Sequence, residues 1–517
     1  MDRRALLTTV VAVTAAACTG KDGDPAAAAG TATPARRTAP RGTAPSASDW
    51  TALGRGLDGQ LIRPGDAAYP SARRLYNTRF DSLKPAAVAY VAGEDDIKEC
   101  LAYAKAHRTP VSIRNGGHSY GGWSSGNGRL VIDVSSLSSV TAGGTIGAGA
   151  KLIDVYNSLA RHRRTIPAGS CPTVGVSGLV LGGGHGVTSR AYGLTCDSLT
   201  SATLVTADGR VLTASAEDHK DLFWALRGAG NGNFGVVTRF TFRTHPAPPT
   251  VSAYLNWPWS KADAVIAAWQ RWGPDQPDEI WSSLHLAAGP GGRNPTLSVA
   301  ALTLGSESDL RNALDRLADA VGSSASSVAL RPRSYRDAML AYAGCLSFTD
   351  AQCHLPGSTP GRSQQGALQR ETYASASDFF DRGINAAGRR ALIAATEAFT
   401  RIPASAGGGG SIALTALGGA VNRVDPLATA FVHRRSRMLA QYIGAWRAGT
   451  EGAAQRAWLK GSHAAMRRYA SGAAYQNYAD PTLRNWRQAY YGPAADRLAR
   501  LKRQYDPGRL FDYPQAL

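Results

Sequence analysis

Two short stretches hold residues able to do covalent chemistry in an open backbone. Gly169-Ser170-Cys171-Pro172-Thr173-Val174-Gly175-Val176-Ser177-Gly178 runs into Gly182-Gly183-Gly184-His185-Gly186, with seven glycines in eighteen residues. Glycine at that density lets a chain take φ > 0 and come within contact distance of a ligand. A lone Cys is most often a small core residue. Cys171 gains weight from a second loop upstream, Arg114-Asn115-Gly116-Gly117-His118-Ser119-Tyr120-Gly121-Gly122, where His118 stands in equally open backbone. Two glycine-rich loops, each presenting one nucleophile, point to a planar cofactor gripped at two places.

At these residues the chain resembles the berberine bridge enzyme-like flavoproteins, a branch of the vanillyl-alcohol oxidase superfamily. In that family Arg-x-x-Gly-His-Ser carries a histidyl bond to the flavin 8α-methyl, and Gly-x-Cys-x-x-Val-Gly-Val a cysteinyl bond to C6. The resemblance therefore implies FAD bound bicovalently through His118 and Cys171. It also implies cofactor contacts from Arg114, Asn115, Gly116, Gly117 and Ser119; from Val174, Gly175, Gly178, Gly182, Gly183 and Gly184; from Gly235, Val236 and Val237; and from Asn477. The likeness continues through Asp221-Leu222-Phe223-Trp224-Ala225-Leu226-Arg227-Gly228 and Asn233-Phe234-Gly235-Val236-Val237-Thr238. It resumes at Asn477-Tyr478-Ala479-Asp480 and closes with Tyr490-Tyr491-Gly492 and Asp506-Pro507, spanning roughly residues 50 to 517.

A flavin oxidase needs a base for the substrate proton and a carbon whose hydride can move to flavin N5; the cofactor does the hard chemistry and the protein orients. By resemblance the base is the Tyr of Asn-Tyr-x-Asp, here Tyr478. A free phenol titrates near ~10, so work near neutrality calls for positive charge or hydrogen bonds beside it. Gln441, in Gln441-Tyr442-Ile443, matches a strand position facing the substrate where some members place a carboxylate. An amide cannot be a base, so Gln441 is expected to orient. The chain departs from the family at His185, where many members have Tyr in the Gly-Gly-Gly-x-Gly loop, and at Leu439, where some have Lys. His185 is expected either to bond the base or to fill its loop. Val174 falls at the position where a small residue goes with oxidases, which implies O2 as acceptor and peroxide as product. The implied activity is oxidation of a sugar-like or other secondary alcohol by a small-molecule or oligosaccharide oxidase. Oxidative cyclisation or amine oxidation of a specialised metabolite, or a silent cell-surface binding protein, are the alternatives.

These residues need elements to hold them. The resemblance implies an α+β fold: a PCMH-type FAD-binding domain of two α/β subdomains, an inserted substrate-binding domain on an antiparallel sheet, and a C-terminal tail returning to the flavin domain. Val88-Ala89-Tyr90-Val91 reads as a strand, and Glu94-Asp95-Asp96 opens a helix to about His107, where the N-terminal dipole favours carboxylates. Val111-Ser112-Ile113 then leads into the His118 loop as the second strand of a β-α-β unit. Leu130, Ile132 and Val134 alternate as in a half-buried strand. A strand at Thr145-Ile146-Gly147-Ala148-Gly149 and a helix from Lys151 to His162 come next. Ala207-Asp208-Gly209 joins two apolar runs in a hairpin signal, and Phe234 to Phe242 is a further strand. Pro246, Pro248 and Pro249 mark a boundary. Beyond it, Leu297 to Leu302 reads as strand, Ser308 to Ala320 as helix and Gly407-Gly408-Gly409-Gly410 as a flexible loop, no P-loop Lys following it. Leu498, Leu501 and Tyr505 are helically spaced before Pro507. The divisions are an export signal (1–18), a tether (19–48), the FAD-binding domain (49–247), the substrate-binding domain (248–443) and the C-terminal segment (444–517).

The 517 residues can bury a large core, and 44% hydrophobic with 18% charged residues is ordinary for a globular protein. A net charge of +19 raises nucleic acid as a partner. The basic residues are scattered with no stripe or basic tail, so the reading is no nucleic acid, with anionic lipid or cell-wall polymer fitting better. Arg3-Arg4, the apolar run Ala5 to Val13 and Ala15-Ala16-Ala17-Cys18 resemble a twin-arginine signal ending in a lipobox. Secretion, or anchoring to the outer face of the cytoplasmic membrane through lipidated Cys18, is expected, as is a monomer. The apolar run is short for a transmembrane helix. The Ala-, Pro- and Thr-rich stretch after it lacks the bulk to form a core. Cys345 and Cys353 are close enough in sequence for a loop-closing disulfide in an exported chain; with His354 they lack a fourth metal ligand, and no metal is assigned. Cys100 shares helical spacing with Ile97, Leu101 and Ala104 and reads as core.

Overall fold

A computed structural model describes residues 45–517. The expected signal, Cys18 and nearly all of the tether lie outside the described residues. The first helix among the described residues, Ala47–Gly56, begins where the tether was expected to end, with Ser46 accepting from the Asp49 amide as its N-cap.

Strands β1 (Gln60–Ile62), β2 (Ala87–Tyr90), β3 (Val111–Arg114) and β4 (Leu130–Asp133) form a sheet in the order β1-β2-β4-β3. β4 runs parallel to both β2 and β3. The half-buried reading of β4 needs correction: Leu130, Val131, Ile132 and Asp133 are all buried. Leu130 and Ile132 join one core cluster and Val131 another, as expected of a parallel strand covered on both faces. The helix Glu94–Ala106 crosses between β2 and β3. Glu94 and Asp95 suit its N-terminal dipole. Asp96 is buried instead, accepting from the amides of Asp58, Gly59 and Ala92 and so tying the chain's start to the sheet.

A second, antiparallel sheet contains β5 (Thr145–Gly147), β7 (Leu199–Thr206), β8 (Val211–Ser215) and β9 (Gly235–Phe242), in the order β5-β9-β7-β8. The Asp208 turn closes β7 on β8 with Val205 opposite Val211. Two-residue strands β6 (Arg164–Thr165) and β10 (His245–Pro246) pair with each other just before the prolines that precede the third sheet.

That sheet has seven antiparallel strands: β11 (Thr250–Trp257), β12 (Ile280–Ala288), β13 (Thr296–Thr303), β14 (Ser327–Arg333), β15 (Tyr373–Phe380), β16 (Gly409–Ala416) and β17 (Met438–Ala445). Their order is β14-β11-β13-β12-β16-β17-β15. Period-2 alternation sends Leu255, Leu284, Val299, Leu414 and Tyr442 against Val265, Trp269, Leu314, Leu392 and Trp458 of the covering helices. The opposite face, including Trp281, Phe379 and Leu439, joins the core of the flavin half. The glycine run at 407–410 is no flexible loop. Gly407 and Gly408 have positive φ, and a Cβ at Gly408 would meet the Ala445 carbonyl, so the run is a tight entry into β16.

The boundary expected at residue 444 falls inside β17, and the helix Ala453–Arg467 still packs on the large sheet through Trp458, Leu459 and Met466. From Ala474 the chain rejoins the flavin core through Tyr475, Tyr490, Leu498, Leu501 and Phe511. Buried cations link the halves, and Arg434 is ion-paired with Asp197. Arg190 donates to the carbonyls of Pro274, Gln276, Ile280 and Leu417. Cys345 and Cys353 are disulfide-bonded, so those thiols do not join His354 at a metal.

Candidate functional site

The His118 loop leaves the end of β3 through Arg114. That guanidinium is buried and ion-paired with Asp133 at the end of β4, and Asp133 also accepts from the Ser135 amide at 2.8 Å. Close approach to the Cys171 loop follows from glycine: a Cβ at Gly116 would run into the Thr173 carbonyl, and one at Gly175 into the Asn115 side chain. Gly117 has φ 69°, which glycine adopts without strain. His118 bonds Thr173 Oγ1 through Nε2 at 2.8 Å and stacks on Tyr76 with ring centroids 3.9 Å apart. Burial, and secondarily the charge of Lys151, push the imidazole down to about 3. It is therefore neutral at physiological pH, the form with a free nitrogen lone pair.

Cys171 is a free, half-buried thiol. The helix Val176–Leu181 begins just after it, at the Gly175 N-cap. Gly182, Gly183 and Gly184 serve packing and do not reach the cavity. Side chains there would collide with Asn477, Phe431 and Thr195 respectively, and the Gly184 amide donates to the Tyr475 hydroxyl at 2.8 Å. Val236 likewise lies behind the wall, fully buried opposite Val205.

Tyr478 and His185, nearly 300 residues apart in sequence, meet directly: Tyr478 OH lies 2.8 Å from His185 Nε2. Burial pushes His185 down to about 4, and its Nδ1 is buried with no hydrogen-bond partner in the described structure. Burial, then Tyr120 and Tyr475, raise the Tyr478 phenol well above its ordinary value. The cationic support a phenolate base would want is not what this site provides. Leu439, at the position where some family members carry lysine, is part of the apolar core. What stands beside the phenol is a neutral imidazole. Gln441, on the flavin-facing side of β17, joins indirectly: its Nε2 donates to Tyr120 OH at 2.8 Å, and Tyr120 lies parallel to Tyr478 at 5.4 Å. Asn477 donates to the Leu179 carbonyl and Tyr475 hydroxyl, both at 2.9 Å, and accepts from Asn231.

A cavity of about 310 Å³ runs beside these groups, with His185 and Gln441 set back from its lining behind Tyr478 and Tyr120. His118, Cys171 and Tyr478 line it together, with Arg114, Asn115, Gly116, Gly117, Ser119, Val174, Gly175, Gly178, Gly235, Val237 and Asn477. Several lining side chains hold buried polar atoms without partners: Ser112 Oγ, Arg114 Nη1, Asn231 Oδ1, Gln476 Oε1 and Gln515 Oε1. Such orphans call for a polar ligand. A long cofactor with hydroxyls, a diphosphate and ring heteroatoms meets that requirement, so the residues fit FAD. Sequence reasoning missed Tyr76, Tyr120 and Lys151. The first two belong to no motif given a role, although Tyr120 sits inside the His118 loop.

The FAD binding domain family matches residues 85–215, and the family described as berberine and berberine like matches residues 474–517. An uncharacterized FAD-linked oxidoreductase of Bacillus subtilis, YgaK, is 31% identical over 470 residues, covering 89% of this chain and 97% of that one. The xylooligosaccharide oxidase of Thermothelomyces thermophilus is 31% identical over 466 residues, 84% of this chain and 87% of its own. The solved structure of Physcomitrella patens BBE-like 1 superposes with a TM-score of 0.80 at 29% identity, covering 90% of this chain and 98% of that chain. With the sheet orders and paired loops already described, these likenesses place the chain in the berberine bridge enzyme-like family of FAD-linked oxidoreductases.

Proposed function

We propose that the protein is an exported oxidase that takes hydride from an alcohol carbon of an oligosaccharide or similar sugar into FAD linked to His118 and Cys171, with O2 reoxidising the cofactor and leaving as H2O2. Bound FAD supplies the two-electron acceptor. The observation that carries the reading is the Tyr478–His185 hydrogen bond in the wall of the cavity that also holds His118 and Cys171.

A phenol raised well above its ordinary value offers no free phenolate at neutral pH. The neutral imidazole supplies the missing acceptor. As the phenol oxygen takes the substrate hydroxyl proton, Tyr478 passes its own proton to His185 Nε2, so negative charge never rests on the tyrosine alone. Gln441 and Tyr120 present an amide and a hydroxyl beside this relay and orient the sugar hydroxyl. The modest bulk of Val174 leaves oxygen room to approach. A xylooligosaccharide oxidase among the relatives supports the sugar class. Arg3-Arg4 and Ala15-Ala16-Ala17-Cys18 support export and lipid anchoring at Cys18.

The test is an anaerobic panel of neutral xylo-, cello- and chito-oligosaccharides, following flavin bleaching at about 450 nm. At least one should bleach the flavin, and readmitted air should restore colour with one H2O2 per sugar oxidised. Bleaching by amines or phenolic alcohols alone would transfer the protein to specialised metabolism.

A further inference from the structure

Lys151 is 4% exposed and stands at the N-cap of the helix Leu152–Ala160. Its backbone belongs to one flavin loop. Lys151 pairs with Gly175, the next amide bonds the Val174 carbonyl at 3.0 Å, and Ile153 bonds the Pro172 carbonyl at 3.1 Å. Its side chain belongs to the other: Nζ donates to Asn115 Oδ1, and also to Ser135 Oγ at 2.9 Å and the Gly149 carbonyl at 3.0 Å. Asn115 completes the tie by donating to the carbonyls of Ala148 and Ala150 and to Ser177 Oγ. One residue thus grips the loop three residues before His118 and the loop four residues after Cys171.

The charge is the second observation. Every hydrogen-bond acceptor of Nζ is a neutral oxygen, and among the described residues no carboxylate lies within ion-pair distance of it. Asp133, the nearby buried acid, is bonded to Arg114. Burying a cation against neutral acceptors is expensive, and a neutral donor would make the same bonds without that penalty. Asp154, the other acid that favours the ammonium, is shared with His354, and burial outweighs both acids and pushes Lys151 down to about 8. The diphosphate of FAD would add counter-charge that they do not fully supply.

We propose that Lys151 is a positioning residue for the cofactor: it holds the two attachment loops at one separation and supplies buried positive charge toward the anionic FAD. This rests on the bicovalent reading above. Each link replaces one C–H bond of the flavin ring system and one N–H or S–H bond of the protein by a C–N or C–S bond. The two protons and two electrons released pass to O2 as H2O2. Both bonds form on one rigid ring, so a shift of either loop costs a link.

The experiment expresses the full chain as wild type, Lys151→Met and Lys151→Gln, and maps flavin on the His118 and Cys171 peptides by mass spectrometry. It also measures the reduced-to-oxidised flavin ratio in one fixed redox buffer. The wild type should carry both links; if it carries neither, the bicovalent reading fails independently of Lys151. In Lys151→Met the doubly linked fraction should fall at least tenfold. Lys151→Gln keeps a donor but no charge, so it should retain more of the double link while its reduced-to-oxidised ratio still falls at least fivefold. The ratio is read on the doubly linked fraction, where a merely structural role would leave it unmoved. The proposal is overturned if whichever variants fold keep both links and the wild-type ratio. It is overturned equally if Gln loses links without any change in ratio.

Discussion

Around the flavin loops, what is buried is often polar and tied to loop backbone or side chains: Arg114 on Asp133, Lys151 on Asn115, Tyr478 on His185. On the helix-covered face of the seven-stranded sheet, what is buried is apolar and regular, with Leu255, Val299, Leu284 and Leu414 side by side across four strands against helices. The first arrangement fixes reactive groups at the ends of strands, where glycines let two loops touch. The second makes a stiff platform from which Gln441 reaches across to Tyr120 in the site. Damage to the first should therefore appear as lost chemistry in a folded protein, and damage to the second as lost stability with chemistry intact.

The largest effect expected is on cofactor retention. The double variant His118→Ala with Cys171→Ala should release all its flavin on acid denaturation, while either single variant keeps one link, as peptide mass spectrometry would register. Retention of covalent flavin by the double variant would break the reading of the paired loops. Next comes Tyr478→Phe, which should fold, keep both links and reduce flavin more slowly by about 10² to 10⁴. Oxygen reoxidation, followed by stopped flow, should hardly change. A wild-type reduction rate would remove the Tyr478–His185 relay.

On the platform side, Leu284→Ala, from a fully buried position, should cost about 2 to 5 kcal/mol in denaturant unfolding. Its flavin reduction rate at saturating sugar should match wild type, and a rate loss tracking the stability loss would blur the contrast between the halves. Acid should affect both halves together. His185 and His285 are held near 4 and His433 near 3 by burial, against about 6.5 when unfolded. Their folded forms stay neutral where the unfolded chain binds protons, so stability is full above about 6.5 and falls as pH drops toward 4. The expected slope is at most about 1.4 kcal/mol per pH unit for each group. His285→Gln, in β12, should flatten that slope if it folds; an unchanged slope would show that His285 is already protonated. The smallest effect is Gln441→Ala, expected to raise KM by about tenfold and lower kcat less, since uniform binding is lost rather than transition-state contact.

The two loops were legible because glycine density and a nucleophile in each are visible residue by residue, and the motif spacing matches a family. The α+β fold and the antiparallel large sheet were legible for the same reason. Lys151 was not: a lysine opening a helix reads as a solvated side chain, and only the fold shows it 4% exposed with Nζ bonded to Asn115, Ser135 and Gly149. β4 misled because the alternation of Leu130, Ile132 and Val134 hides Val131, buried on the other face. The glycines at 407–410 carry no sign in composition of whether they bend freely or fit against Ala445 and Phe399. His185 could be seen as a departure from the family that either bonds the base or fills its loop, and only the fold, which brings it to Tyr478 across nearly 300 residues, decides between the two.

Arg190 bears on how substrate comes and goes. Its guanidinium reaches carbonyls on separate segments of the large-sheet half, and charge-assisted bonds of this kind contribute on the order of 1.5 to 3 kcal/mol each. Swinging the halves apart would strip four such bonds from one cation at once, so a clamshell cycle is a poor route for exchange. Entry and release must instead pass through a mouth of fixed width. For the oligosaccharide substrate proposed above, selection would then act on girth rather than length, and a long chain could thread its end inward while the remainder stays in water.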